Sequence, residues 1–284
     1  MPVAVVTDST AVLPPDLCAE RGITVVPLAL TVDGVDGLEG DVSPGDVAAA
    51  LTARRGGVTT SRPAPESFVT AYRRLLDDGA DEIVSVHLSA ELSGTVQSAT
   101  LAAGEVGDRV TVVDARSAAM GLGFAVLAAT RAAADGADAA AVRAEALAAI
   151  ERIDVFFYVD TLEFLRRGGR IGAASALLGT ALSVKPILHV VDGAVVVREK
   201  VRTSSRALAR LADLAVAAAG DARVDLAVHH LAAAARATEL ADSLAARLGD
   251  RLCDRYLMET GASVAAHVGP GVIGVVVHRR PDRP

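Results

Sequence analysis

Apolar positions along this chain fall into short β-branched runs separated by longer stretches of helical character. Val3-Ala4-Val5-Val6-Thr7 is an apolar run ending in Asp8-Ser9-Thr10, the pattern of a buried strand feeding a polar loop. Ile23 to Val32 is again β-branched and reads as extended. Ser43-Pro44-Gly45-Asp46 opens a helix, with Ser43 as N-cap and Pro44 in the first helical position. Another helix follows the segment Ser61 to Glu66 and runs through Leu76. The alternation then repeats as strand 83–88, a helix from about 94, strand 110–113, and helices 117–134 and 138–152. Strands alternating with helices predict a parallel sheet covered on both faces.

After Asp154 the pattern changes. Val155 to Val159 is a strand, and a short helix after it ends at Gly168-Gly169. Strand-like runs follow at 186–191, 194–198, 223–230, 251–258 and 271–278, with Ala-rich helices at 203–219 and 233–247. Val191-Asp192-Gly193-Ala194 carries a hairpin turn signal, and hairpins make antiparallel neighbours. The expected fold class is therefore α/β: an N-terminal parallel-sheet α/β/α domain (1–154) packed on a C-terminal α+β domain (155–284) with a mainly antiparallel sheet. Nothing between them resembles a Pro/Ser-rich linker, so the two should pack closely.

Composition narrows the function. Of 284 residues, 51% are apolar but only 3% aromatic, with no Trp. Stacking platforms for single-stranded nucleic acid are thus not expected, and a net charge of −7 argues the same way. The N-terminus runs from Met1-Pro2 straight into a strand, without a leader pattern, which reads as cytoplasmic. No stretch approaches the ~20 apolar residues of a membrane span, so stable membrane insertion is not expected. Cys18 and Cys253 lie far apart and make no metal or redox spacing. Only two of the 28 basic side chains are Lys, at 185 and 200.

Five constellations could carry chemistry. Thr59-Thr60-Ser61-Arg62-Pro63 is a hydroxyl run before a helix, which plain capping also explains. Leu92-Ser93-Gly94-Thr95 opens a helix after a strand, at the sheet end where ligands bind; Gly94 would let an anion approach the free N–H groups, and a plain Ser93 cap is the simpler reading. His267, before Gly269-Pro270-Gly271, could serve Ser93 as base, or be a satisfied structural histidine. No G-x-S-x-G elbow and no obvious carboxylate support the hydrolase alternative. Gly168-Gly169 stops a helix and projects Arg170. Arg198, Lys200, Arg202 and Arg206 make a basic patch on an acidic chain, before a helix that Thr203 can cap.

The order of these strings carries more than any one of them. Thr7-Asp8-Ser9-Thr10, Thr60-Ser61-x-Pro63, Leu92-Ser93-Gly94-Thr95, Gly168-Gly169-Arg170-Ile171, Lys185-Pro186-Ile187-Leu188, Lys200-x-Arg202-Thr203 and His267-x-Gly269-Pro270-Gly271 resemble the successive motifs of the DegV family, from Val3 to Val277. The resemblance implies two domains with a long-chain fatty acid between them and no other cofactor or metal. It implies head-group contacts from Thr60, Ser93 and His267, joined by Ser61, Gly94 and Arg170, with no catalytic residue. It also implies a separate fatty acid kinase as partner, for which Arg170, Lys200 and Arg202 are the candidate docking groups. Arg62 departs from the family, which often has Gln there; the change alters the charge at the pocket mouth. Burial at roughly 0.8 kcal/mol per methylene gives a C16 chain on the order of 10 kcal/mol before immobilisation costs. An apolar pocket would then set affinity, and the hydroxyl–His cluster orientation.

Overall fold

The computed structural model describes residues 2–53, 57–177 and 185–281. The chain opens with β1 (Val3–Asp8), α1 (Pro15–Arg21), β2 (Ile23–Val26), β3 (Ala29–Val32), β4 (Val35–Leu38), α2 (Pro44–Ala53) and β5 (Val58–Ser61). It continues with α3 (Pro65–Asp77), β6 (Glu82–His87), α4 (Thr95–Val106), β7 (Val110–Asp114), α5 (Met120–Ala134) and α6 (Ala139–Ile150). The later elements are β8 (Ile153–Tyr158), α7 (Glu163–Arg167), β9 (Lys185–Val191), β10 (Ala194–Val201), α8 (Ser204–Ala219), β11 (Val224–His230), α9 (Ala234–Leu248), β12 (Leu252–Glu259), α10 (Ala262–Val268) and β13 (Ile273–Arg279).

A four-stranded sheet in the order β2-β1-β6-β7 is parallel throughout. Successive side chains of a strand point to opposite faces, and β1 uses both. Val3 and Val5 pack with Leu122, Val126 and Val142 of α5 and α6, while Val6 packs with Phe68, Tyr72 and Ala99 of α3 and α4. That accounts for the near-continuous apolar run at the N-terminus. The second sheet has six strands in the order β10-β9-β8-β13-β11-β12, antiparallel except for the β11–β12 pair. Its outer face is covered by α8 and α9. Against its inner face lies α5, whose Met120 and Phe124 pack with Ala227 and Val276. Helix α5 is thus buried between the two sheets, which explains its run Met120-Gly-Leu-Gly-Phe-Ala-Val with no polar face. The α/β class read from the sequence is the class observed.

Two local readings need correction. Ile23–Val32 is not one extended segment. Pro27 and Leu28 break it into β2 of the parallel sheet and β3 of a separate three-stranded antiparallel sheet, β4-β3-β5. The hydroxyl run before α3 is not a cap either. Thr59, Thr60 and Ser61 lie in β5, paired with β3, and α3 begins at Pro65 without a side-chain cap. The small sheet shares a core with the inner face of the six-stranded one, since Leu30 and Val47 cluster with Phe157, Leu188, Leu231 and Ala265. Ser43 does cap α2 as expected: its Oγ accepts from the Asp46 N–H at 3.1 Å and donates to the Asp46 carboxylate at 2.6 Å.

Candidate functional site

Between the six-stranded sheet and the loops at the carboxyl ends of β1 and β6 lies a cavity of about 1040 Å³, part of it continuous with solvent. One wall is the inner sheet face, where Val155 and Phe157 of β8 stand beside Val276 and Gly274 of β13 in register. Leu28, Leu88, Leu165 and Val264 add to an overwhelmingly apolar lining. Of the polar side chains in the lining, Ser61 and Arg62 are exposed, Thr60, Ser93, Arg170 and His267 are half-buried, and Thr10, His229, Thr260 and Ser263 are buried.

Of the residues singled out in the sequence, Thr60, Ser61, Ser93, Arg170 and His267 all line this cavity. They arrive from four separate places: β5, the turn before α4, the turn after α7, and α10. His267 sits in the last turn of α10. Its Nε2 is 2.8 Å from Thr60 Oγ1, and its Nδ1 is buried without a partner among the described residues. Burial pushes His267 down to about 4, and the positive charge of Arg170 adds to the effect. The imidazole is therefore neutral at pH 7. Its ring lies against Gly168, where a Cβ would collide with Nδ1. The Gly pair thus does more than stop α7: Gly168 makes room for the histidine, and Gly169 takes the left-handed φ of 72° that turns the chain.

Ser93 does not cap α4. The N-cap position is Gly94 and has no side-chain bond, while Ser93 Oγ is hydrogen-bonded to Thr95 Oγ1 at 2.9 Å. Nor does Gly94 leave an open approach for an anion, because the Arg62 side chain lies over it; a Cβ at Gly94 would collide with Arg62 Nη1. Arg170 does not reach for solvent. It folds back, its Nε donating to the Leu92 carbonyl at 2.8 Å and its Nη1 to the Gly168 carbonyl. Lys200 and Arg202 lie elsewhere, exposed around the end of β10 and away from the cavity lining. Thr203 caps α8 there, accepting from the Arg206 N–H at 3.3 Å.

The structure adds groups that the sequence did not single out. Asp8, fully buried, accepts from the Thr10 and Leu88 N–H groups, each at 3.0 Å, and from Thr10 Oγ1 at 2.5 Å. It also lies 3.0 Å from His87 Nδ1, while His87 Nε2 is 2.6 Å from Ser85 Oγ. This Ser–His–Asp chain is fully buried, and it ties β1 and β6 together. Glu39 accepts from Ser9 Oγ and from the Ser263 N–H, joining that junction to the start of α10. The Thr-Asp-Ser-Thr motif was the only sequence signal for any of this.

Over residues 2–280 the sequence matches the profile of DegV, described as an uncharacterised protein family. The chain belongs to the DegV family. A DegV domain-containing protein of Streptomyces coelicolor is 52% identical over 98% of this chain and 99% of its own length. A DegV family protein from Thermus thermophilus, described as binding fatty acid, superposes with a TM-score of 0.93 at 36% identity, covering 99% of this chain and all of its own. DegV of Bacillus subtilis, described as a fatty acid binding protein, gives 0.89 at 29% identity with the same coverage. No group of His, Cys, Asp and Glu among the described residues of this DegV chain could hold a metal ion, and no helix among them is long and apolar enough to cross a membrane.

Proposed function

We propose that this chain is a fatty-acid-binding protein that buries a long-chain acyl tail and presents the carboxylate to a separate fatty acid kinase for acyl-phosphate formation. The observation that carries the reading is one cavity with an overwhelmingly apolar lining, to which Thr60, Ser93, Arg170 and His267 add half-buried polar groups. An acyl tail has only apolar surface to bury, and its carboxylate must be hydrogen-bonded or paired where it leaves water. Ser61 and Gly94 complete the proposed head-group set; Lys200 and Arg202, with Arg170 as the link to the cavity, are the proposed docking groups. In this reading no other cofactor takes part and the protein works in the cytoplasm. DegV proteins of the same fold described as fatty acid binding support the ligand class. A Ser93–His267 hydrolase is disfavoured, since His267 Nε2 is engaged by Thr60 and no carboxylate orients its Nδ1 among the described residues.

The test is organic extraction of the purified protein followed by mass spectrometry, with titration of added palmitate and oleate and an ester-hydrolysis assay in parallel. Co-purifying acyl chains, or saturable binding without hydrolysis, are the expected result. An extract free of acyl species together with no binding of either acid would end the proposal.

A further inference from the structure

The proposed head-group cluster leaves a question of charge. A carboxylate entering a partly desolvated mouth is held more firmly where a positive partner joins the hydrogen bonds. His267 brings none, because burial keeps it neutral at pH 7. Thr60, Ser61 and Ser93 bring only dipoles. Among the described residues, the positive groups lining the cavity are Arg62 and Arg170.

These two guanidinium groups bond to the first and last carbonyls of the Leu92–Gly94 turn. Arg170 Nε donates to the carbonyl before Ser93, that of Leu92, at 2.8 Å, and Arg62 Nη1 donates to the carbonyl after it, that of Gly94, at 3.5 Å. Arg62 Nη1 also donates to Gln97 Oε1 at 2.5 Å. Its aliphatic stem lies flat on Gly94, where even a Cβ would come within 2.9 Å of its Cδ. Arg62 is therefore seated even though it is exposed. All its hydrogen bonds go to neutral oxygens, and no carboxylate pairs with it among the described residues. Its charge is uncompensated, and Nε and Nη2 remain to donate beside Ser93.

We propose that Arg62 is a selectivity residue for an ionised head group: with Arg170 it supplies the positive charge opposite the acyl carboxylate, so that the cavity prefers a fatty acid to an uncharged lipid of the same chain length. This rests on the acyl-binding reading above. Gln97 and Gly94 are part of the device, since the first anchors the guanidinium and the second gives it a surface to lie on.

The experiment compares oleate with oleyl alcohol, two ligands with one tail and different heads, on the wild-type protein, Arg62→Gln and Arg62→Met at low and high NaCl. Gln retains a donor for the Gly94 carbonyl, which separates loss of charge from loss of packing. The expected result is a preference for oleate in the wild type that falls roughly 3- to 10-fold in both variants, the range for one charge-assisted contact at a solvent-facing site. The salt dependence of oleate binding should flatten with it. Equal losses for acid and alcohol would show a packing role and overturn the proposal, as would an unchanged preference. Wild-type protein that binds neither ligand would overturn the acyl-binding reading itself and this inference with it.

Discussion

Thr60 Oγ1 and His267 Nε2 are 2.8 Å apart across 207 residues of sequence, and their hydrogen bond fastens the small antiparallel sheet to α10 at the rim of the cavity. His267 Nδ1 has no partner, so Thr60 is the whole of the ring's hydrogen bonding among the described residues. Thr60→Val keeps the side-chain shape and removes the bond, leaving a buried imidazole with neither nitrogen satisfied. Unfolding in urea should show a loss of about 1–2 kcal/mol, accompanied by weaker palmitate binding. Wild-type midpoint and affinity would mean that the pair is idle.

Gly168→Ala tests the same ring from its other side. The backbone at Gly168 is ordinary right-handed helix, so the new methyl brings no conformational strain, only its contact with His267 Nδ1. Displacing the ring should cost about 1–3 kcal/mol as an overpacking effect. Calorimetry of Gly168→Ala beside Gly136→Ala is the check. At the second site an added methyl meets nothing within 4 Å but the φ is positive, so that variant reports backbone strain alone.

Acid should destabilise the fold through His267 and His229. Burial lowers both from 6.5 to about 4, with Arg170 adding to the shift at His267 and His230 at His229. As pH falls below 6.5 the unfolded chain takes up protons that the folded chain refuses. Stability is therefore lost between pH 6.5 and 4 and levels off, for these groups, below 4. Each histidine can steepen the slope by at most about 1.4 kcal/mol per pH unit. Urea midpoints at pH 7, 6 and 5 should fall, and His267→Gln should fall less steeply. A parallel decline in the variant would remove His267 from this account.

Asp8→Asn should be among the most damaging single changes. Asp8 is fully buried and accepts from two backbone N–H groups and the Thr10 hydroxyl while facing His87. An amide turns one acceptor oxygen into a donor aimed at donors. The expected loss is about 2–4 kcal/mol, read from denaturant unfolding. Asp41→Asn, an exposed site, is the reference and should stay within about 0.5 kcal/mol.

Arg202→Ala separates binding from hand-over. The side chain is exposed at the end of β10, outside the cavity lining. Palmitate affinity and thermal midpoint should stay at wild-type values while acyl-phosphate formation with a cognate kinase drops. Arg's planar fork suits phosphate and carboxylate oxygens better than an ammonium does, so Arg202→Lys should rescue only in part. Undiminished turnover for both variants would make this end of β10 an ordinary solvated turn.

Much of the fold was legible because its signals are local. The β-branched runs other than Ile23–Val32, the Ser43-Pro44 helix start, the Asp192-Gly193 turn and the Gly168-Gly169 stop all act through their own backbone, and each appears where its residues place it. The reading failed where a local pattern had two physical outcomes. A hydroxyl run before a helix caps or pairs, and only the presence of β3 made Thr59–Ser61 a strand.

The sequence by itself singled out Thr60, Ser61, Ser93, Arg170 and His267, through motifs whose order resembles that of the DegV family, and all five line one cavity. Only tertiary structure decided what each one touches. Periodicity speaks to neighbours three or four residues apart, whereas the bond from Thr60 to His267 spans 207 positions and Arg62 comes to Gln97 from 35. The protonation state of His267 likewise depends on burial and on Arg170, which belong to the packed molecule and are written in no stretch of the chain.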